Sequence, residues 1–224
     1  MNTASKTSRV LGIAFLLQFV TSISSGVFFS KALIVPGNIR ESMNRIANYP
    51  ILMRANILVD MLTALGIIFL GAMLYLALRK QNEKVALVAF GFYILEATFL
   101  AVSRISAFSL LRISQEYATT GQPAYLLSMG NLALESMDFG GSTLHMLTFC
   151  FGGILFYSLL VKSRIVPRAL SIWGLATVFP MLIATVAELF GTVLPIYFYI
   201  LYMPFELVIG IWILVKGIKE DSVI

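Results

Sequence analysis

Cysteine, histidine and charged residues are scarce in this chain, and each scarcity excludes a class of protein. The single cysteine, Cys150, cannot form a disulfide within the chain. The single histidine, His145, excludes a three-histidine zinc site and a bis-histidine haem within one chain. Charged residues make up 12% of the 224 residues, against about 25% in soluble domains, and hydrophobic residues make up 59%. The composition therefore indicates a chain whose solvent is a lipid bilayer.

What the sequence has instead is a set of six long apolar runs. Each has about 20 residues or more, the length that a helix needs to cross about 30 Å of hydrocarbon. We therefore predict an all-α, polytopic membrane protein, a six-transmembrane-helix bundle that forms one domain over residues 1–224. The predicted spans are Val10–Phe29, Ala55–Leu78, Val85–Arg112, Gly141–Val161, Ala169–Phe190 and Ile196–Val215.

Two connections between the apolar runs carry signals for short helices. Asn38, with Glu41 three residues later, is typical of a helix N-terminus, and Pro50 ends the pattern. The apolar residues between them fall on one helical face, so we predict a helix that lies on the membrane surface. A second short surface helix is predicted at Pro123–Ser136, ahead of the fourth span.

Basic residues are concentrated at one end of the predicted bundle. An even number of spans puts both termini on the same side of the membrane, and ten of the 16 Lys and Arg residues fall on that side. Cytoplasmic loops carry an excess of Lys and Arg. We therefore predict cytoplasmic termini and a multi-pass protein of the cell membrane. The ten residues are Lys6, Arg9, Arg79, Lys80, Lys84, Lys162, Arg164, Arg168, Lys216 and Lys219.

Three segments carry a resemblance to a known family: SRIVPRALSIWG at Ser163–Gly174, PFELVIGIWILVKG at Pro204–Gly217, and GFYILEA at Gly91–Ala97. They resemble the bacterial "domain of unknown function" family four-three-eight-six, which consists of uncharacterised multi-spanning membrane proteins. The resemblance extends over essentially the whole chain. It implies a six-span membrane protein, and it implies no activity, cofactor or site residue.

Six ionisable residues fall inside the predicted spans, where a charge costs about 2.5–3.5 kcal/mol on insertion scales. Two of them lie near mid-depth, in the third and sixth spans, and four lie in the half nearer the outside. We predict that they surround a polar cavity that is open to the outside and forms a ligand-binding site. The two at mid-depth are Glu96 and Glu206, and the other four are Asp60, Arg104, His145 and Glu188.

Arg104 needs a partner from another helix. It lies about 12 Å from Glu96 along the helix axis, which is too far for a direct pair. Its side chain leans towards the helix N-terminus, away from the nearer water. The candidate partners are Asp60, Glu188 and Glu206.

Two interpretations of the mid-depth carboxyls stay open at this point. Pro204 is expected to bend the sixth span and free the carbonyl of Ile200, and freed carbonyls beside Glu206 can hold a cation. A plain kink with a hydrogen-bonded Glu206 fits the sequence equally well. Likewise, Glu96 and Arg104 fit a buried polar network that fixes the helix register as well as they fit a ligand site.

The leading functional hypothesis is a non-enzymatic membrane protein that binds or transports a small cationic or amphiphilic ligand in this cavity. One alternative is an intramembrane enzyme that uses His145 with carboxylates, as acid–base groups or metal ligands. The other is a structural or regulatory membrane subunit without a ligand. We predict no cofactor, metal or catalytic site. The predicted partners are the lipid bilayer and a small molecule or ion, without nucleic acid, and the sequence gives no oligomeric state.

Overall fold

A computed structural model describes residues 6–218 of the chain, so Lys219 of the basic set lies outside it. Within these residues the fold is all-α, as predicted. Ten α-helices are numbered here in chain order, and two π-helical segments, π1 and π2, interrupt them. The helices are α1 (Lys6–Ile23), α2 (Lys31–Leu33), α3 (Ile39–Asn48), α4 (Pro50–Leu78), α5 (Glu83–Thr119), α6 (Ala124–Asp138), α7 (His145–Ser163), α8 (Arg168–Leu189), α9 (Tyr197–Ile200) and α10 (Met203–Lys216). The segments are π1 (Ser24–Ser30) and π2 (Phe139–Leu144).

Six helical spans are long and apolar enough to cross a membrane, which confirms the predicted fold class. They are Ser8–Leu33, Pro50–Leu78, Glu83–Thr119, Ala124–Ser163, Arg168–Leu189 and Tyr197–Lys216. The third and fourth spans, of 37 and 40 residues, exceed what a bilayer requires. They therefore project beyond the hydrocarbon at one end.

The fourth span differs from the prediction. The expected separate helix at Pro123–Ser136 exists as α6, but π2 joins it to α7 without a break. The prediction placed a boundary between Gly140, at the end of a connection, and Gly141, at the start of the span. Their role is instead close packing: a Cβ on Gly140 would come 3.0 Å from Ser103 Cβ, and one on Gly141 would collide with the Arg104 guanidinium. The two glycines therefore let the fourth span approach α5 at the level of Arg104.

The predicted helix after Asn38 is present, with a different environment. The Glu41 amide donates to Asn38 Oδ1 at 3.0 Å and caps the first turn of α3. The apolar face of α3, with Met43 and Ile46, is buried against protein. The predicted packing of this face on the membrane surface is therefore wrong, because α5 and α6 cover it.

The six spans form a ring in chain order. Each span packs on the next, and α1 packs on α10, which closes the ring. Gly12 permits this closure, since a Cβ there would come 2.8 Å from the backbone nitrogen of Leu214. The Ile218 amide also donates to Ser8 Oγ at 3.2 Å. The two described chain ends therefore meet at the same end of the bundle.

Buried apolar side chains form two separate clusters. The cap cluster is the smaller one and consists of Leu33, Met43, Ile46, Met53, Ala107, Leu110, Leu111, Tyr117, Leu126, Ala133 and Met137. The main cluster joins all six spans and includes Leu11, Ile67, Tyr93, Phe156, Met181 and Phe205. A polar layer lies between the two clusters along α4 and α5, and contains Asp60, Ser103 and Arg104.

Exposed apolar side chains mark the depth of the bilayer. On α5 they run from Leu87 to Phe108, about 32 Å, and on α4, between the exposed Arg54 and Arg79, they run from Leu58 to Leu76, about 27 Å. Both lengths match the hydrocarbon thickness of about 30 Å. Glu96 follows Leu87 by nine residues, about 14 Å, and therefore lies at mid-depth. The cap cluster extends beyond this belt.

Candidate ligand-binding cavity

All six spans contribute side chains to one cavity of about 260 Å³ inside the ring. Its apolar lining consists of Ile67, Leu70, Met146, Phe149, Met181 and Met203. Its polar lining consists of Gln18, Ser22, Tyr93, Glu96, His145, Tyr199, Tyr202 and Glu206. Neither set contains Lys or Arg. The cavity is therefore a mainly apolar chamber that holds two carboxyl groups, from the third and sixth spans, with His145 as the one basic side chain among its described lining residues.

Glu96 points into the cavity from the middle of α5. Its side chain belongs to a residue that is only 3% exposed, and its Oε2 atom has no hydrogen-bond partner among the described residues. A buried polar atom without a partner costs free energy, so such atoms are rare in folded proteins. Gln18 Oε1, in the same wall, is also buried and unpartnered. The cavity wall thus contains three buried polar atoms that the described part of the chain leaves without a partner: these two acceptors and the Tyr93 hydroxyl oxygen.

Glu206 lies opposite, in the first turn of α10, and it has donors. Tyr202, four residues earlier, donates from Oη to Glu206 Oε1 at 3.0 Å. The Tyr157 hydroxyl is hydrogen-bonded to the Tyr202 hydroxyl. Since Tyr202 donates to the carboxyl group, Tyr157 donates to Tyr202. This chain of two phenols fixes the orientation of Glu206, which is itself partly exposed.

The sixth span has a two-residue break in its α-helical pattern at Leu201 and Tyr202, both of which keep right-handed helical dihedrals. Helix α9 ends at Ile200 and α10 begins at Met203, so Pro204 occupies the first turn of α10, where its missing amide costs no hydrogen bond. Trp173 Nε1 lies 3.4 Å from the Leu201 carbonyl oxygen and donates to it. The break therefore places Tyr202 and Glu206 at the start of a new helix, at the cavity wall.

His145 joins the third and fourth spans at the cavity. Its Nδ1 atom lies 3.4 Å from the backbone carbonyl oxygen of Glu96, directly after π2. Over residues 6–218 there is no group of three or more His, Cys, Asp or Glu side chains placed to hold a metal ion. The geometry therefore gives His145 a role in the wall of the cavity and in helix packing.

Asp60 and Arg104 form an ion pair in the polar layer. Arg104 Nη1 lies 2.6 Å from Asp60 Oδ2, and the two side chains are 11% and 5% exposed respectively. Arg104 also donates to Ser103 Oγ from Nη2 at 2.9 Å and from Nε at 3.1 Å. Of the three predicted partners, the structure assigns Asp60 to Arg104. The pair lies about 6 Å inside Phe108 along α5, near the edge of the hydrocarbon.

The six predicted site residues thus separate into three groups. Glu96, His145 and Glu206 line the cavity. Asp60 and Arg104 pair with each other outside its lining. Glu188 borders the cavity through Tyr199, whose hydroxyl donates to Glu188 Oε2 at 3.4 Å.

Aromatic rings close the cavity on the side of the basic loops. Ring centroids lie 5.0 Å apart for Phe149 and Tyr202, and 5.1 Å apart for Tyr93 and Phe156. Both pairs have the edge-to-face arrangement that aromatic rings favour. Phe156 lies seven residues nearer the basic end of α7 than Phe149. A layer of packed aromatic rings therefore lies between the two carboxyl groups and the basic loops.

Two lining residues, Gln18 and Tyr202, were not predicted although the sequence indicates a polar contact for each. Gln18 is the only amide in the first apolar run, and nothing in a membrane core satisfies an amide except another polar group. Tyr202 precedes Glu206 by four residues, a spacing at which helical side chains meet. Tyr157 carried no such signal, because its partner lies on another span.

Comparison with known families decides the classification. A family model described as "Domain of unknown function (DUF4386)" matches residues 10–217, nearly the whole chain. The chain belongs to this family. The resemblance seen in its motifs is thereby confirmed, and the chain is an integral membrane protein of DUF4386. No curated protein and no solved structure matches the chain. In this DUF4386 member, two of the three family-like segments carry the cavity carboxyls, Glu96 within Gly91–Ala97 and Glu206 within Pro204–Gly217.

Proposed function

We propose that this DUF4386 protein binds a small organic ammonium ion in its cavity and transports it across the membrane. The single observation that carries the proposal is the pair of carboxyl groups, Glu96 and Glu206, in an apolar cavity with no Lys or Arg among its described lining residues. A cation is the ligand that such a wall favours, since an ionised carboxylate attracts it strongly where water is excluded. Aromatic faces in the same wall add cation–π attraction.

The hydrogen-bonding character of the wall favours an ammonium group that carries N–H donors. Glu96 Oε2 and Gln18 Oε1 are both buried acceptors without partners in the described structure. Glu206 Oε1 is already oriented by Tyr202 at 3.0 Å. An alkylammonium head group offers up to three donors, which suits three such acceptors.

Transport is supported by where the cavity lies. Its two carboxyls are near mid-depth of a ring built from all six spans, the depth at which substrate sites of transporters are found. We further propose that the basic end of the bundle, where the two described chain ends meet, faces the cytoplasm. The aromatic layer then separates the cavity from the cytoplasmic side, and the protein belongs in the cell membrane.

A purely structural role for these carboxyls is a weaker explanation. The Asp60–Arg104 pair has the geometry of a structural ion pair, with both charges compensated. Glu96 lacks such compensation, because one of its carboxyl oxygens has no partner in the described structure. A group retained only for stability would be expected to have its hydrogen bonds satisfied.

The test uses two matched probes, phenethylammonium and 2-phenylethanol, which share an apolar body and differ in charge. Purified protein in lipid nanodiscs is titrated with each probe by calorimetry. We expect phenethylammonium to bind and 2-phenylethanol to bind at least tenfold more weakly. Glu206→Gln should lower the ammonium affinity about tenfold to a hundredfold, since a hydrogen bond to a charged group contributes about 1.5–3 kcal/mol.

The control variant is Glu116→Gln, which removes the same charge from an exposed position on α5. It should bind like the wild type. Equal affinity for the two probes, or equal affinity of Glu206→Gln and wild type, would contradict the proposal. Uptake of phenethylammonium into proteoliposomes tests the transport step, and binding without uptake would restrict the protein to a receptor role.

A further inference from the structure

We infer that the cavity opens sideways into the bilayer, between the first and sixth spans, and that its ligand is a long-chain alkylammonium taken from the lipid phase. The ammonium head group reaches Glu206, and the alkyl chain extends through the opening into the acyl chains. This inference rests on the proposed function and specifies its substrate class and its route of access.

The first support is the packing between the first and sixth spans, which is closer at one end of the bundle than at the other. The first and sixth spans meet closely through Gly12 and Gly210, near the end of the bundle where the chain ends meet. Farther along, α9 is separated from α10 by the break and packs mainly on α8. The segment π1 packs mainly on α4 and on the helices that it joins. The first and sixth spans therefore separate beyond their contact at Gly12 and Gly210, on the side away from the chain ends.

The second support is the exposure of the lining residues. Those on the second and third spans are almost completely buried, and Glu96 is 3% exposed. Ser22 on the first span and Met203 on the sixth are exposed, Met203 at 37%. Glu206 and Tyr199 on the sixth span are partly exposed, as are His145 and Met146 on the fourth, so the fully exposed lining residues are those on the first and sixth spans. Access to the cavity therefore lies on the side of the first and sixth spans, with Glu206 nearer the opening and Glu96 deeper.

The third support is the depth of this opening. Ser22 follows Ser8 by 14 residues, about 21 Å, and Met203 precedes Lys216 by 13 residues, about 20 Å. The two residues thus lie at matching heights, inside the apolar belt of about 30 Å. Exposed apolar side chains, Val20 and Ile200, flank them. An opening at this height faces acyl chains rather than water.

The fourth support is the volume of the cavity, which is too small to enclose a long-chain ligand. Its volume of about 260 Å³ is below the roughly 300–1,000 Å³ of pockets that enclose drug-sized ligands. A head group and a few carbons fit within it, and the rest of a longer chain must leave through the opening. The lip of the opening is polar on one side, where Gln18 Nε2 donates to Ser22 Oγ at 3.2 Å. An alkylammonium ion matches this arrangement, because its charged head group suits the polar edge and acidic interior and its alkyl chain suits the surrounding lipid.

The test compares dodecylammonium with phenethylammonium, which is short enough to be enclosed. Ser22→Trp and Met203→Trp each place a bulky ring at the opening. We expect both variants to weaken dodecylammonium binding in nanodiscs at least tenfold more than they weaken phenethylammonium binding. Val20→Trp is the matched control, since Val20 is exposed on the same span and is not part of the lining. It should leave the binding of both ligands unchanged.

A second measurement does not depend on a bulky substitution. A fluorescent bimane is attached at Ser22→Cys in a Cys150→Ala background, and quenching by nitroxide-labelled lipid is compared with quenching by a water-soluble nitroxide. We expect the lipid-borne quencher to be the more effective, and the opposite order would overturn the inference. Unchanged dodecylammonium affinity in both tryptophan variants would also overturn it, and the proposed function would stand if phenethylammonium binding still required Glu206. Failure of the wild type to bind either ammonium would overturn both.

Discussion

The ion pair between Asp60 and Arg104 allows a quantitative prediction about stability. Its atoms are 2.6 Å apart, and its side chains are 5% and 11% exposed. Removing one partner of a buried pair leaves an uncompensated charge and typically costs about 3–5 kcal/mol. We therefore expect Asp60→Asn and Arg104→Met each to lower the free energy of unfolding by about that amount. Replacing both residues, Asp60→Leu with Arg104→Met, should recover most of the loss, because no buried charge remains.

The same chain supplies a control pair on the surface. Arg45 and Glu41 lie 2.9 Å apart on α3, with side chains 40% and 44% exposed. Exposed pairs four residues apart contribute only about 0.3–0.5 kcal/mol. Glu41→Gln should therefore cost less than 1 kcal/mol. Reversible unfolding in mixed micelles, followed by helical circular dichroism, measures all these variants. The reasoning fails if Asp60→Asn costs no more than Glu41→Gln, or if the double replacement costs as much as the two single changes added together.

Two further predictions concern the ring closure and the capped helix. Gly12→Ala should destabilise the fold by about 1–3 kcal/mol, because its Cβ would meet the Leu214 backbone, whereas Gly26→Ala should be neutral or stabilising since nothing lies within 4 Å of its Cβ. The same unfolding assay checks this, and equal effects of the two substitutions would refute it. Asn38→Ala should cost about 1 kcal/mol through loss of the cap on α3. Amide hydrogen exchange should show faster exchange in the first turn of α3, and unchanged protection there would speak against the cap.

The sequence was sufficient to predict the number and approximate limits of the spans, because crossing a bilayer imposes a length and a composition that few other structures share. It was insufficient for the fourth span, whose start was predicted at Gly141 although the helix runs on from α6 through π2. A pair of glycines is found both in turns and where two helices pack closely. Only the position of α5 beside Gly140 and Gly141 shows which role they have here. The break before Pro204 was predicted as a bend for a similar reason. A proline shows where a helix is weakened, and the hydrogen bond from Trp173 to the Leu201 carbonyl oxygen accompanies the two-residue break in the α-helix.

The site residues that could be predicted are those whose charge is unusual for the apolar run in which they lie. Glu96 and Glu206 stand out because a carboxyl group within an apolar run needs an explanation. The pairing of Arg104 was not predictable, since the sequence gives depth and helix face but not which helices are neighbours. Asp60 was the partner because the second and third spans are adjacent in the ring. Tyr157 was not predicted, because a tyrosine is not unusual in an apolar run and nothing in the sequence singles it out.

The most direct test of the central claim is whether an ammonium ion touches the Glu206 carboxyl group. Infrared difference spectra of protein carrying ¹³C-carboxyl glutamate can be recorded with and without phenethylammonium. We predict a ligand-induced change in the labelled carboxyl bands that Glu116→Gln retains in full and that Glu206→Gln reduces to the contribution of Glu96. A change of the same size in Glu206→Gln, or no change in the wild type at saturating ligand, would contradict the account.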